Sequence, residues 1–433
     1  MTLRAKPYSA AMFAAFVFVC GLLPRLSYVY SMEIDYPFRA DAGKYLQLAI
    51  NLVENHGYSL AESAPFTPST LISPGYPAFL AAILDATGDI QHFYNAVLLS
   101  QALLSSLTVV GAFYLALRIG GLQAAVPAGL LVALSPQLII GAGYILTETL
   151  SSFLITFCLA LLLAGFSRGR PTLFVACGVV LALAAYVRPA VLLLPGTLLP
   201  LAWWTRNHLK NCLIMAVTAA VIWSPWQIWQ FKHRQAGEVS LAAAALTLGG
   251  YPDLIFKSPE FKAYPYREDP QYAAMSQSLG EAYRVIRERA AAEPWKFLKW
   301  YVFGKPMMYW QAEEVAGPGG PYVYNINSSV FTRQAIPAAS LNGMMALHPF
   351  IIALTAAACL WTLIDLCRRR SSPATQPAWL LCAALVVYFT AVHTVLAPLP
   401  RYAFPIYPIA YALAAGLVAR MPAWLRRRAD ETT

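Results

Sequence analysis

This chain is 58% hydrophobic and only 12% charged, so each ionisable side chain beside an apolar run is a candidate for chemistry. Arg25 lies near the end of the first run, and Glu148 opens another in "YILTETLSSF". Arg188 separates two runs in "YVRPAVLLLP", His393 sits near the end of a late one, and Arg401 in "LPRYAFPIYP" precedes the last. A charge deep in a membrane helix costs about 2.5–3.5 kcal/mol on insertion scales, so such groups are kept for a reason. Arginines presented by two non-adjacent helix ends would make an anion site, because a guanidinium gives paired bonds to phosphate oxygens. The plainer reading is snorkelling or a structural Glu–Arg pair. Asp41, in "RADAGKY", opens a helical pattern whose exposed backbone N–H groups favour a carboxylate, and Lys44 shares its face. There the plainer reading is a helix cap.

The elements that must position these groups are membrane helices. In 433 residues apolar runs recur from end to end, the mark of an all-α polytopic membrane protein forming a single domain over 1–433. At about 20 residues per crossing, ten spans are expected. They fall at 9–30, 93–117, 122–141, 145–166, 172–187, 189–205, 211–231, 346–366, 378–397 and 403–420. The stretch 76–87 is too short to cross and reads as juxtamembrane or re-entrant. With the N-terminus inside, the basic clusters at Arg4 and Lys6, Arg118, Arg168 and Arg170, Arg206 and Lys210, Arg368 to Arg370, and Arg420 to Arg428 all reach the cytoplasm. Nearly all acidic residues fall on the other side, and both biases agree on one topology. The net charge of +10 is thereby explained without nucleic acid, for which no basic groove motif appears.

Two long loops, 31–92 and 232–345, then face out of the cytoplasm, and a short basic tail, 421–433, faces in. Within the first loop, Tyr45, Leu48, Ala49, Leu52 and Val53 recur at helical spacing over 41–54, predicting an amphipathic helix lying on the membrane with its apolar side down. In the second, 276–292 reads as a polar surface helix ended by Pro294. Trp295, Phe297, Trp300, Tyr301, Tyr309 and Trp310 then read as a headgroup-level aromatic belt. Tyr264, Tyr266 and Glu313 are loop residues able to touch sugars. The seven cysteines lie in or at the inner ends of apolar segments and read as buried hydrophobes, without disulfides or zinc spacing.

A transporter would place its polar groups near the midplane, at residues such as Gln101 or Ser105. Here they gather at one surface beneath two loops, which suits chemistry on a lipid-anchored substrate whose phosphate lies at headgroup depth. Gly-rich phosphate loops, HExxH and GxSxG are all missing, so the energy must arrive with a preactivated lipid-phosphate donor.

The ordered segments "ADAGKYLQLAINLVENHGYS", "SPGYPAFLAAIL", "ALSPQLIIGAGYILTETLSSF", "ALAAYVRPAVLLLP", "SPWQIW" and "LPRYAFPIYPIAY" resemble the bacterial protein-mannosyltransferase-like glycosyltransferases of the GT-C superfamily. The resemblance covers residues 10 to 420 and extends to the aminoarabinose and galacturonic acid transferases. It implies sugar transfer from a polyprenyl phosphate-linked donor to a lipid A, glycan or protein acceptor at the extracytoplasmic face of the bacterial inner membrane. Asp41 stands where the family has its acidic residue, and would take the proton of an acceptor hydroxyl in an inverting single displacement. Arg188 and Arg401, with Lys305 and Lys44, match or flank positions that hold the donor phosphate. Asp35, Tyr45, Tyr76, Glu148, His393 and Tyr402 are the remaining substrate-binding candidates. Relatives carry a paired acid where this chain has Asp41-Ala42, and a lone Asp is a poor divalent site, so no metal or other cofactor is expected. The alternatives are a lipid-linked sugar flippase or a polysaccharide ligase.

Overall fold

Apolar side chains around the whole circumference of a helix leave it no wet face, and most of this chain is built that way. The computed structural model describes residues 7–196, 209–235, 237–252, 269–315, 317–368 and 376–432. Its helices are, in order, α1 (Pro7–Ser31), α2 (Asp41–Val53), α3 (Gly75–Thr87), α4 (Ile90–Gly120), α5 (Leu122–Leu134), α6 (Pro136–Gly141), α7 (Glu148–Arg168), α8 (Pro171–Val187), α9 (Leu209–His233) and α10 (Leu241–Gly249). There follow α11 (Tyr272–Gln277), α12 (Leu279–Ala292), α13 (Pro294–Lys299), α14 (Lys305–Trp310), α15 (Val330–Arg333), α16 (Ala335–Arg368), α17 (Gln376–Val395) and α18 (Tyr407–Thr432). Among the described residues there are isolated bridges but no β-strand.

Among the described residues seven helices are long and apolar enough to cross a membrane, and α5 and α8 are shorter apolar ones. The sixth expected span, 189–205, starts as a 3-10 turn at Pro189–Val191, and residues 197–208 lie outside the described residues. So do Tyr264, Tyr266, Arg4, Lys6, Arg206, Arg369 and Arg370. The expected tail is a helical continuation of α18 as far as Thr432.

The third expected span, 122–141, is broken. Ser135 is extended between α5 and α6, because Pro136 has no N–H to continue the helix and disfavours a helical residue before it. The break frees carbonyls at the end of α5, and Arg25 takes them. Its guanidinium, wholly buried, donates to Ala133 O at 3.0 Å and Val132 O at 3.1 Å, and to Ser105 Oγ at 2.7 Å. This candidate is thus a cap for a neighbouring helix.

The amphipathic helix forms, one residue shorter than expected, and Asn55 (φ 60°) and Gly57 (φ 82°) turn the chain behind it. Its apolar side does not face lipid, however. Ala42 and Ala49 pack on Tyr76 and Leu80 of α3 and Phe93 of α4. Asn51, a polar residue of the same helix, is buried and donates to Ser59 O and Ala61 O, closing the following loop. The stretch 76–87 is α3, which lies under α2 and meets α8 where a Cβ on Gly75 would come within 2.7 Å of the Tyr186 carbonyl carbon. In the second loop the polar helix is α12, capped by Ser278, and Pro294 opens α13. The aromatic belt is divided: Trp295 is exposed, whereas Phe297, Trp300 and Tyr309 are buried in protein.

The two loops meet at one end of the bundle. Glu33 pairs with Ser328 in an antiparallel bridge and binds Arg333 at 2.6 Å, and Thr70 donates to Glu238 at 2.8 Å. Under this seam lie the starts of α2 and α7 and the end of α8. The 3-10 turn Pro400–Ile406, ahead of α18, completes the group.

Candidate active site

Four charged groups from four distant segments meet there. Asp41 is the first residue of α2, and Ala40 before it has φ 52°, a left-handed conformation strained by about 1–3 kcal/mol in a non-glycine residue. That bend sets Arg39 and Asp41 on one wall of a cavity of about 370 Å³. Arg401, at the head of the 3-10 turn, lines the same cavity and donates to Asp41 Oδ2 at 3.1 Å. Its Nε lies 4.0 Å from Glu148 Oε1. Glu148 is the first residue of α7, where the helix N-terminus favours a carboxylate. Arg188, just past α8, donates to Glu148 Oε1 at 2.7 Å and to Thr147 Oγ1 at 2.9 Å. The chain of charges therefore runs Asp41–Arg401–Glu148–Arg188.

Tyr402 ties it together. The Arg188 and Arg401 guanidinium carbons lie 4.9 and 5.6 Å from its ring centre, both within cation–π range. Depth separates the members: Asp41 is 41% exposed, whereas Glu148 is 5% exposed. An open carboxylate is thus held by an arginine whose other side rests on a closed one. Tyr45, on α2, stands edge-on to Tyr76 at 5.2 Å. Burial first, then the Asp41 and Glu148 carboxylates, raise the Tyr45 phenol above its usual range and keep it protonated. The Tyr76 hydroxyl donates to Gln101, whose amide donates to Ala142 O and Tyr144 O. Gln101 and Ser105, the residues a transporter would use, are thereby committed to scaffolding.

Other candidates are placed elsewhere. Lys305 follows a π-helical turn, Trp300–Gly304, and its ammonium donates to Val395 O and Leu396 O, both at 3.1 Å, at the end of α17. Burial pulls its pKa down to about 7. It anchors the segment leading to Arg401 instead of lining the cavity. Asp35 accepts a bond from Asn327 in the seam between the loops. His393 stacks on Tyr309 at 4.8 Å, with Nδ1 against Phe389 O. Lys44 is exposed, one turn along α2 from Asp41.

Sequence reasoning missed Glu314, Tyr324 and Arg39, which also line the cavity. Glu314 accepts the backbone N–H of Arg401 at 3.1 Å; the loop acid singled out from sequence was its neighbour Glu313. No periodicity marks such a residue, and only the closure of the second loop brings it in. Among the described residues no three His, Cys, Asp or Glu side chains gather to hold a metal ion. All seven cysteines are free; Cys158 and Cys177 lie 3.4 Å apart at sulfur, within thiol hydrogen-bond reach and without a disulfide.

The fold these elements build is that of the GT-C membrane glycosyltransferases. The archaeal oligosaccharyltransferase AglB of Archaeoglobus fulgidus, solved with an inhibitory peptide and a dolichol-phosphate, is similar over 98% of this chain and 52% of its own, with 13% identity and a TM-score of 0.54. ArnT of Cupriavidus metallidurans bound to undecaprenyl phosphate matches over 98% of this chain and 62% of its own, with 14% identity and a TM-score of 0.51. This chain therefore spans half to three-fifths of these neighbours' lengths. Residues 45–237 match the family described as oligosaccharyl transferase STT3, N-terminal. No curated protein sequence matches the chain.

Proposed function

We propose that this protein is a membrane glycosyltransferase that moves a sugar from a polyprenyl phosphate-linked donor to a cell-envelope acceptor at the extracytoplasmic face. The observation that carries this reading is the Arg401 guanidinium shared between Asp41 and Glu148 at the wall of the cavity. A base and an anion-binding cation 3 Å apart suit a reaction that removes a proton and releases a phosphate. The neighbours' ligands, a dolichol-phosphate and undecaprenyl phosphate, support the choice of leaving group.

In this mechanism the acceptor hydroxyl binds within hydrogen-bond reach of Asp41, which takes its proton as the oxygen bonds to the anomeric carbon. The bond from that carbon to the phosphate oxygen breaks on the opposite face, with inversion, and the electron pair leaves with the polyprenyl phosphate. Arg401 meets the growing negative charge. Arg188 acts through Glu148 and Tyr402, holding both where Arg401 needs them. Where the acceptor is itself a phosphate, no base is required and Asp41 orients Arg401.

The test is sugar transfer by membranes holding the full chain. Asp41→Asn keeps shape and expression but should lower transfer about 10²- to 10⁴-fold, the range for general-base removal. Full activity in both Asp41→Asn and Arg401→Ala would sink the site assignment.

A further inference from the structure

We propose that Arg39 is a substrate-binding residue which, together with Arg401, grips a phosphate oxyanion in the cavity; this rests on the glycosyltransferase reading above. Three observations point to it. First, of the three arginines near the site, Arg39 and Arg401 line the cavity and Arg188 does not. Arg188 has its Nε on Thr147 and an amino group on Glu148.

Second, Arg39 is oriented yet largely unused. Its guanidinium carbon lies over the Tyr324 ring, 4.8 Å from the ring centre, and one amino group donates to Asn325 O at 3.3 Å. Its Nε is buried without a hydrogen-bond partner. A guanidinium carries five N–H donors in a rigid fork that matches phosphate oxygens, so with one amino group on Asn325 O donors remain for a ligand.

Third, only with Arg39 counted does the cavity wall carry as many cations as carboxylates. The cavity wall carries the carboxylates Asp41 and Glu314 and the cations Arg401 and Arg39. With Arg401 alone, an entering phosphate would set three anionic groups around one cation already bonded to Asp41. Arg39 supplies the second cation, which lets Arg401 turn towards the phosphate. It reaches the cavity from the first loop and Arg401 from the 3-10 turn ahead of α18, so the oxyanion would be held between them.

The phosphate has two possible sources, the donor's carrier lipid or the acceptor, and binding to the purified full chain in detergent distinguishes them. The probes are undecaprenyl phosphate, undecaprenol (the same tail without phosphate) and inorganic phosphate, applied to wild type, Arg39→Gln and Arg39→Lys. At least tenfold weaker undecaprenyl phosphate binding in Arg39→Gln, less in Arg39→Lys, with undecaprenol unchanged, supports the proposal and assigns the oxyanion to the carrier. Retained undecaprenyl phosphate binding with lost inorganic phosphate binding supports it and assigns the oxyanion to the acceptor. Unchanged binding of both, or equal weakening of undecaprenol, overturns it and leaves Arg39 a loop staple through Asn325. A wild type that binds undecaprenyl phosphate no better than undecaprenol, and does not bind inorganic phosphate, overturns it together with the donor reading. A phosphate-selective wild type indifferent to Arg39 sinks this inference alone.

Discussion

Glu148 is almost closed to solvent, so its charge depends on what surrounds it. Arg188 at 2.7 Å supplies a charge-assisted bond, whereas Arg401 at 4.0 Å supplies only an electrostatic hold. Removing one partner of a buried ion pair destabilises by about 3–5 kcal/mol, because the other charge is left uncompensated. Arg188→Gln should therefore lower the melting temperature of the purified protein and also draw Arg401 from Asp41 towards Glu148, reducing sugar transfer. In Glu148→Gln/Arg188→Gln both charges are gone, so the melting temperature should recover most of the loss while transfer stays low. A double variant with restored transfer would show that Arg188 has only a stabilising role. The sequence displayed both residues as charges at apolar boundaries, and a Glu–Arg pair was one reading of them. That the pair also orients Arg401 through Tyr402 depends on three helix ends converging, which spacing along a chain cannot reveal.

At the scale of elements, hydropathy finds where helices lie but not where they break. The run 122–141 stays apolar across Ser135-Pro136, so a smooth span is expected there, and the chemistry of Pro136 decides otherwise. Arg25 is the consequence, for the carbonyls released by the break need a donor that lipid cannot provide. An orphaned buried acceptor costs about 1–3 kcal/mol. Arg25→Met orphans Val132 O and Ala133 O together, so the melting temperature in detergent should fall by several degrees; an unchanged value would mean that other donors reach these carbonyls. The amphipathic helix teaches the same lesson. Its period was legible, but an apolar face fits lipid and protein equally well, and α3 together with the core of the bundle takes the face that the membrane was expected to cover. Glu314 and Arg39 belong to loops whose position follows from no period, so nothing short of the closed structure assigns them to the cavity.

For the whole molecule, charge along the sequence and contacts in space bear on the same question by independent routes. The basic clusters place both long loops on one side of the membrane, and the seam from Glu33 to Arg333 and from Thr70 to Glu238 requires that they share a side. The Ser328 hydroxyl and the Arg333 guanidinium hold the exposed Glu33 carboxyl below its usual range, so the seam keeps its charge pair in mildly acid surroundings. Which side it faces is an expectation from charge alone, and one native residue allows it to be measured. Cys367 is the exposed cysteine near the last turn of α16, a helix that begins just past the seam at Ala335 and runs 34 residues away from it. At 1.5 Å per residue that is about 50 Å, more than the thickness of a bilayer. A membrane-impermeant maleimide applied to intact spheroplasts should label Glu62→Cys and Tyr283→Cys, both exposed loop positions, and should reach Cys367 only after lysis. Labelling of Cys367 in intact spheroplasts with both loop positions protected would reverse the orientation. The cavity, with Asp41 and Arg401 in it, would then open to the cytoplasm, where an extracytoplasmic acceptor could not reach it.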